Sequence, residues 1–253
     1  MKDEIQVLVS CMHQNDAAIL KRSNIRGAAL VVNQCDYDRV DTSTFSTIIN
    51  TTERGLSKSR NMALKNSTGD ICLICDDDEI LYDSYEILIQ QAYIQFPDAD
   101  IIAFQIKDAG KSYSPRSKRL NYLTVLKIAS WQITFRRNSI INSDIWFDET
   151  LGSGVSKAGG EEIMFLYDCL RKNLKIYYYP VCIGRMIVGN SQWFHGFTEE
   201  FFFDRGVFTR KLMGLFAASI YGLYYLVFKY KLYKKDISVF RATRNLYKGM
   251  FAL

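Results

Sequence analysis

The sequence predicts an α/β protein whose central sheet is mostly parallel and flanked by helices. Residues 71–75 form an uninterrupted apolar run that leads into four acids, and such a run is typical of a strand buried on both faces. Residues 5–11 and 28–33 are two further apolar runs separated by a stretch of helical character, which is how a βαβ unit begins. With 253 residues and 48% hydrophobic content, the chain is long enough for one substantial domain.

The remaining elements follow in chain order from periodicity and turn residues. Residues 52–65 predict a Gly turn, a Ser cap and a helix in that order, and Pro97 ends an amphipathic helix over 82–96. Residues 107–121 are polar and basic without periodicity, so we expect a loop or a mobile lid there. Further strands are predicted at 45–50, 100–106, 130–137 and 175–180, and a further helix begins at 161.

Composition argues against several classes of function. The 32 basic and 27 acidic residues give a net charge of +5, which does not indicate a dedicated nucleic-acid binder. The sequence contains neither a Gly-x-Gly-x-x-Gly pattern nor a P-loop pattern. Six cysteines lie mostly in apolar runs, and no signal peptide precedes the first strand, so we expect reduced thiols in the cytosol. Cys72 and Cys75 would face opposite sides of a strand, which disfavours zinc.

The acids at 76–79 lie at the carboxyl end of the predicted strand, where open α/β sheets bind ligands. Alternation along an extended chain would place Asp76 and Asp78 on one face and Asp77 and Glu79 on the other. Four neighbouring carboxylates repel one another unless water or a cation compensates them. Mg²⁺ and Mn²⁺ prefer oxygen ligands, so the stretch predicts a metal–diphosphate site; a solvated acidic turn is the alternative.

A second acidic centre follows about eighty residues later. Glu161 and Glu162 come directly after Gly160, at the start of a predicted helix. Acids at that place stabilise a helix through its dipole, which is their simplest explanation. Because adjacent residues point about 100° apart on a helix, one of them can instead face a cleft and take a proton from an attacking hydroxyl. Arg60, in the helix before the acidic strand, is placed to reach Asp76 or a phosphate.

These motifs, in this order, resemble the inverting family 2 glycosyltransferases with the GT-A fold. The matching pattern is a first strand, a Gly-x-Ser-x-x-Arg-Asn helix at 55–61, an apolar strand ending in Asp-x-Asp, and Gly-Glu-Glu at 160–162. The resemblance covers residues 5 to about 200. In particular, the chain resembles bacterial enzymes of capsule, exopolysaccharide and O-antigen assembly. It implies transfer of a sugar, with inversion, from a nucleotide-diphospho-sugar to a hydroxyl of a glycan or a lipid-linked saccharide.

The resemblance also implies donor-binding positions. Asp76 would lie near the nucleotide ribose, and Asp78 would hold a divalent cation, Mg²⁺ or Mn²⁺, with Asp76 as the other candidate metal ligand. Arg60 would support the acidic strand and the diphosphate. Residues 33–36 depart from the family pattern, since Asn-Gln-Cys-Asp replaces the common Asp-Asp-Gly-Ser. The implied nucleotide-sugar pocket is lined by Ser10, His13, Asp36, Arg60, Asp76, Asp77 and Asp78.

The general base and the acceptor side follow from the same resemblance. Glu162 stands where the family usually has the aspartate of a Glu-Asp pair, and Glu161 stays an alternative base. Trp131, Trp193 and His195 are candidates for acceptor binding, because aromatic rings stack on sugars; core packing is the alternative for each. His195 is also a candidate supporting metal ligand.

The C-terminal region differs in composition from the rest of the chain. Residues 205–253 hold ten basic residues against the single acid Asp236, and residues 212–228 carry no charge. Seventeen residues is the lower limit for spanning a membrane, so this helix can lie in the interface, pack onto the protein or span. We expect a catalytic domain over 1–204 and a membrane-associating extension over 205–253. The predicted location is peripheral, on the cytoplasmic face of the cell membrane.

Other functions fit the sequence less well. A sugar-phosphate nucleotidyltransferase would have a Gly-rich basic loop after the first strand, and residues 12–16 read Met-His-Gln-Asn-Asp. A haloacid-type phosphatase would carry Asp-x-Asp after its first strand, and an EF-hand would need Gly where Leu81 stands. The alternative outside enzymes is a catalytically degenerate GT-A scaffold of a polysaccharide assembly complex.

Overall fold

The computed structural model describes residues 3–14, 17–153, 155, 159–187 and 196–252. The chain divides into two compact units, which are described separately. The first comprises Met1–Glu149 and Glu161–Gly189, and the second comprises Thr150–Gly160 and Asn190–Leu253. The second unit thus includes residues before 205. The predicted boundary at 204, between a catalytic domain and a membrane-associating extension, is a functional one and stays a prediction.

A ten-stranded sheet forms the centre of the first unit. Its strands are β1 (Ile5–Met12), β2 (Ala28–Gln34), β3 (Arg39–Thr42), β4 (Ser46–Thr51), β5 (Ile71–Asp76), β6 (Glu79–Leu81), β7 (Ile101–Lys107), β8 (Lys118–Arg119), β9 (Ile133–Arg136) and β10 (Ile176–Met186). The strand order is β3-β4-β2-β1-β5-β9-β7-β10-β6, and β8 pairs with β10. Strands β4, β2, β1 and β5 are parallel neighbours, as are β7 and β10. The sheet is more mixed than expected, because β9 inserts antiparallel between β5 and β7.

Helices flank this sheet. They are α1 (Ala18–Arg22), α2 (Leu56–Asn66), α3 (Tyr85–Gln95), α4 (Arg137–Asn142) and α5 (Glu161–Arg171). Helix α2 packs against β1 and β2, and α3 packs against β10. Val7 and Leu73 share a core cluster with α3, while Leu8 and Ile74, which point to the opposite face, are also buried. Burial on both faces explains the uninterrupted apolar runs and confirms the predicted α/β class.

Two strand predictions were wrong in their extent. Residues 130–132 form a 3₁₀ turn before β9, because the Gln132 side chain accepts a hydrogen bond from the Ala129 N–H and donates another to the Phe104 carbonyl. β10 continues past Pro180 to Met186, where the prediction ended it. The pairing of β10 with β7 shifts register between Tyr178 and Cys182, so proline lies where a ladder hydrogen bond is not required.

The described residues of the second unit form the helices α6 (Glu199–Phe228), α7 (Tyr230–Tyr233) and α8 (Val239–Met250). Thr198 and Ser238 cap α6 and α8 by accepting hydrogen bonds from the backbone three residues on. Gly206 and Gly249 lie where α6 and α8 cross, and a Cβ at either position would meet backbone atoms of the other helix. The two helices therefore approach each other closely only because these positions lack side chains.

Helix α6 is broken at Gly214, which has φ 76° and ψ 168°. Among the described residues α6 is the one helix long and apolar enough to cross a membrane by length and composition. The break leaves residues 215–228 as the apolar straight segment, about 21 Å long at 1.5 Å per residue. A typical hydrocarbon core is about 30 Å thick, so this segment is too short to span it alone.

We predict that Gly249→Ala destabilises the second unit although alanine is the better helix former. The added Cβ meets the backbone of Phe203 and Val207, which cannot move without separating the helices. The cost of overpacking, about 1–3 kcal/mol, should exceed the gain in propensity of about 0.5–1 kcal/mol. Urea unfolding followed by circular dichroism measures the difference. Thr243→Ala, on the partly exposed side of α8, is the matched control and should not lower stability; equal stability of the two variants would contradict the close crossing.

Candidate active site

The four acids at 76–79 form a turn between two strands. β5 ends at Asp76, β6 begins at Glu79, and residues 77 and 78 make the turn. Glu79 is fully buried, and its Oε1 accepts a hydrogen bond from the Asp76 backbone N–H at 2.9 Å. The predicted alternation of Asp76 and Asp78 against Asp77 and Glu79 is therefore wrong, because it assumed an extended chain. The buried Glu79 side chain thus stabilises the turn through its hydrogen bond to the Asp76 backbone.

Arg60 on α2 joins the two acidic centres. Its Nη2 donates to both carboxylate oxygens of Asp76 at 3.0 and 3.2 Å, and its Nη1 donates to Oε1 of Glu161 at 2.7 Å. The Arg60 side chain is only 3% exposed. A guanidinium presents several N–H donors in one plane, so it can pair with two carboxylates at once. The end of β5 and the start of α5 consequently lie within reach of a single side chain.

The carboxylate of Asp76 is engaged on both oxygens. Besides the two contacts from Arg60, Oδ2 accepts a hydrogen bond from the Ser130 hydroxyl at 3.2 Å. Asp78 differs, because no ion pair and no hydrogen bond from another residue reaches its carboxylate within the described part of the chain. Burial, together with repulsion from Asp76 and Asp77, raises the pKa of Asp78 to about 6. Burial and Asp76 also raise the pKa of Asp77.

The two glutamates at the start of α5 have different surroundings. Glu161 is buried and paired with Arg60, whereas Glu162 is partly exposed and carries no ion pair to any described residue. Burial and the charge of Glu161 raise the pKa of Glu162 to about 7, although Arg60 and Lys111 act in the opposite direction. A carboxylate that titrates near neutral pH is suited to proton transfer.

Lys111, in the segment after β7, contacts residues in and just before the 3₁₀ turn at 130–132. Its Nζ donates to the Lys127 carbonyl at 3.0 Å and to Oε1 of Gln132 at 3.2 Å, and it lies 5.0 Å from the centre of the Trp131 ring. Burial lowers the pKa of Lys111 to about 8. Trp131 is partly buried under this lysine, and its Nε1 has no hydrogen-bond partner among the described residues. The predicted loop at 107–121 therefore makes contacts with the 3₁₀ turn through Lys111, and it is not wholly a loop, because Lys118 and Arg119 form the short strand β8.

Three predicted nucleotide-pocket residues lie at or after the carboxyl ends of β1 and β2. Ser10 is buried, and its Oγ accepts a hydrogen bond from the Ser59 hydroxyl at 3.0 Å. His13 is exposed, and its backbone N–H donates to the Gln34 carbonyl at 3.0 Å. Asp36 is exposed and pairs with Arg54 at 2.7 Å. These ends share a sheet edge with Asp76, because β1, β2 and β5 are parallel.

Two of the predicted acceptor residues, Trp193 and His195, lie outside the described residues. Their roles stay predictions, as does that of Trp131. Sequence reasoning missed Ser130, Lys111 and the structural use of Glu79. Glu79 was visible in the acidic run, but nothing in the sequence distinguished a buried acid from its neighbours. Ser130 and Lys111 gave no signal, because only the folded sheet brings them to the site.

The donor set fits a hard divalent cation. No group of three or more His, Cys, Asp or Glu side chains among the described residues is placed to hold a metal ion. Mg²⁺ commonly binds to one or two carboxylates and completes its coordination with water and substrate phosphates, so a larger cluster is not required. Asp78 supplies a carboxylate that pairs with no cation among the described residues, while both oxygens of Asp76 are engaged.

Comparison with known proteins agrees with this geometry. Residues 38–163, about half of the chain, match the family described as glycosyl transferase family 2. No curated protein matches the sequence. The chain resembles the crystal structure of S. aureus TarS with a TM-score of 0.59 at 15% identity, covering 88% of this chain and 43% of TarS. It therefore spans less than half of that protein.

Two structures of a shorter TarS piece, 1–349, are also similar. The complex with UDP-GlcNAc has a TM-score of 0.61 at 15% identity and covers 92% of this chain and 74% of that piece. The complex with UDP has a TM-score of 0.60 at 15% identity and covers 95% and 77%. At this identity the likeness establishes the fold.

We predict that Arg60→Leu lowers the free energy of unfolding by about 3–5 kcal/mol, because it leaves two carboxylates near the core without their cation. Urea titration measures the change. Arg26→Leu is the matched control, since Arg26 pairs with Asp83 at 2.7 Å but both side chains are more than 60% exposed. That substitution should cost less than about 1 kcal/mol.

A double substitution isolates the ion pair. Glu161→Gln in the Arg60→Leu background should recover part of the loss, because it removes one of the two stranded charges. Equal costs for Arg60→Leu and Arg26→Leu would show that the buried network does not stabilise the fold.

Proposed function

Because the chain belongs to glycosyl transferase family 2 and has the GT-A fold, we propose that this glycosyltransferase moves a sugar from a nucleotide-diphospho-sugar to a hydroxyl acceptor with inversion. The observation that carries the proposal is the contact of Arg60 with both Asp76 and Glu161. This contact joins the end of β5 to the start of α5, which supports a donor site and a general base at one edge of the sheet. Transfer to an acceptor requires such a meeting of a leaving-group site and a base.

The proposed chemistry is a single displacement. Glu162 takes the proton from the acceptor hydroxyl, whose oxygen forms a bond to the anomeric carbon from the face opposite the donor. The bond between that carbon and the diphosphate oxygen breaks, and the nucleoside diphosphate leaves with the electron pair. Asp78 would hold Mg²⁺ or Mn²⁺, which would supply positive charge that stabilises the departing diphosphate. Glu161 holds Arg60 and, being paired, is the poorer base.

Ser10, near the end of β1, and His13, Asp36 and Asp77, which follow parallel strands, are proposed to border the nucleotide. They lie at the edge of the sheet that holds Asp76. The TarS complexes with UDP-GlcNAc and UDP support a uridine nucleotide as the first donor to test. A glycan or a lipid-linked saccharide is the proposed acceptor, for which Trp131, Trp193 and His195 are candidates.

We further propose that the enzyme acts as a peripheral protein on the inner face of the cell membrane, in polysaccharide biosynthesis. The support is the basic and apolar composition of residues 205–253.

Calorimetric titration of UDP, GDP and their sugars, with Mn²⁺ and with EDTA, tests donor binding. We predict metal-dependent binding to the wild-type chain and a loss of at least about tenfold in affinity for Asp78→Ala, since its carboxylate pairs with no described cation and would hold the metal beside the diphosphate. Asp83→Ala, an exposed acid just after β6, is the matched control and should bind like wild type. Absence of nucleotide binding with any metal would reject the transferase and favour the degenerate scaffold.

The pH dependence of turnover tests the base. Because the pKa of Glu162 is raised to about 7, the carboxylate is protonated at lower pH, and kcat should fall as the pH drops through 7. Glu162→Gln should reduce kcat by about 10²–10⁴-fold and remove this limb while nucleotide binding persists. Glu162→Asp should retain part of the activity. If Glu161→Gln, and not Glu162→Gln, abolished the pH-dependent limb, the assignment of the base would be wrong.

A further inference from the structure

The second half of α6 carries an exposed apolar face. Its side chains recur at intervals of three and four residues, so they line one side of a helix. Their exposed fractions range from 45% for Tyr224 to 82% for Phe216. We call this face the outer stripe, and its members are Phe216, Ile220, Leu223, Tyr224, Val227 and Phe228.

The opposite face of the same helix is already occupied. Ala218, Tyr225 and Leu226 belong to the core cluster of the second unit together with residues of α8. Gly222 lies against Leu246 and Met250, where a Cβ would be crowded. The outer stripe therefore lies on the side of the helix that faces away from the core of the second unit. It is a second apolar face with no partner in the described part of the unit.

The break at Gly214 disfavours a bilayer-spanning role for the second half of α6. Gly214 interrupts the helix, and the fourteen residues that follow reach about 21 Å, short of a hydrocarbon core of about 30 Å. The inner face packs on α8, whose exposed residues include Arg241, Arg244 and Lys248. A helix with one face on protein and one apolar face outward fits a bilayer surface.

Positive charge adjoins the outer stripe. Lys231, Lys234 and Lys235 are exposed directly after the helix, and Lys229 is partly exposed. From residue 205 the first acid is Asp236. Exposed Leu232 and Tyr230 lie among these lysines, which gives the mixture of apolar, aromatic and cationic side chains that suits an interface with anionic lipids.

We propose that the outer stripe inserts into the boundary between headgroups and acyl chains of an anionic phospholipid bilayer. Residues 215–228 lie parallel to the membrane, and the lysines at 229, 231, 234 and 235 contact lipid phosphates. This inference deepens the membrane location in the proposed function and rests on it, but it is independent of the transferase chemistry.

Co-sedimentation of the full chain with vesicles tests the proposal. Wild type should bind vesicles of phosphatidylcholine with phosphatidylglycerol and bind pure phosphatidylcholine at least about tenfold more weakly. Leu223→Glu and Phe216→Glu should each weaken binding to the anionic vesicles at least about tenfold. Ile94→Glu is the matched control, because Ile94 on α3 is 78% exposed, close to Phe216, and this variant should bind like wild type. Lys→Ala at all four lysines should reduce binding and its salt sensitivity.

A second measurement separates insertion from mere adhesion. Leu223→Trp should show a blue-shifted emission with anionic vesicles, obtained by difference from wild type, and quenching by brominated acyl chains. Circular dichroism of every variant should match wild type, since the substituted positions are exposed. Undiminished vesicle binding by both stripe variants would overturn the proposal.

Two other results would also decide the question. If the outer stripe instead binds a second copy, sedimentation velocity without lipid will show a dimer that Leu223→Glu dissociates, and the bilayer proposal is rejected. Nucleotide titration on the same variants keeps the two inferences apart. Vesicle binding without nucleotide binding would reject the transferase proposal and support the membrane-binding surface. Nucleotide binding without vesicle binding would support the transferase proposal and reject the membrane-binding surface.

Discussion

The buried guanidinium of Arg60 is the constraint on which the site depends. Removing a charge from water costs several kcal/mol, so a 3% exposed arginine is tolerated only with well-placed anions. Asp76 and Glu161, distant in sequence, supply them at 3.0 and 2.7 Å. The pairing fixes the start of α5 relative to the end of β5, and therefore decides which acids can meet at the edge of the sheet.

Arg60 pairs with one carboxylate in each acidic centre and leaves a neighbouring carboxylate available to a ligand. Asp76 and Glu161 are held by Arg60. Asp78 and Glu162, two residues and one residue further on, have no such partner in the described part of the chain, and their pKa values are raised to about 6 and 7. In each centre, the carboxylate that pairs with Arg60 occupies the cation. The neighbouring carboxylate is therefore kept close to that paired carboxylate without itself forming an ion pair with Arg60. Substitution of Arg60 would therefore change the position of both available acids, and its effects on binding and turnover should not be separable.

Sequence patterns sufficed where one physical requirement dominated. The apolar runs of β1, β2 and β5 must be buried on both faces, which predicts a parallel core without knowledge of the rest. They did not suffice where tertiary contacts override local preference. The Glu79 side chain accepts a hydrogen bond from the Asp76 N–H across the turn. The Gln132 side chain likewise accepts one from the Ala129 N–H, and residues 130–132 form a 3₁₀ turn where a strand was predicted. Ser130 reaches Asp76 only because β9 runs antiparallel beside β5.

Helix α6 shows why an apolar sequence alone could not distinguish packing from membrane contact. Residues 212–228 are apolar almost all round, so periodicity selects no face, and length leaves a spanning role open. The structure separates the faces, because Ala218 and Tyr225 pack within the second unit while Phe216 and Leu223 remain in water. The proposed membrane contact and the packing of the second unit thus use different sides of one helix. Glutamate on the outer side leaves the core contacts of Ala218 and Tyr225 in place, and that independence makes the proposed role separable from folding by experiment.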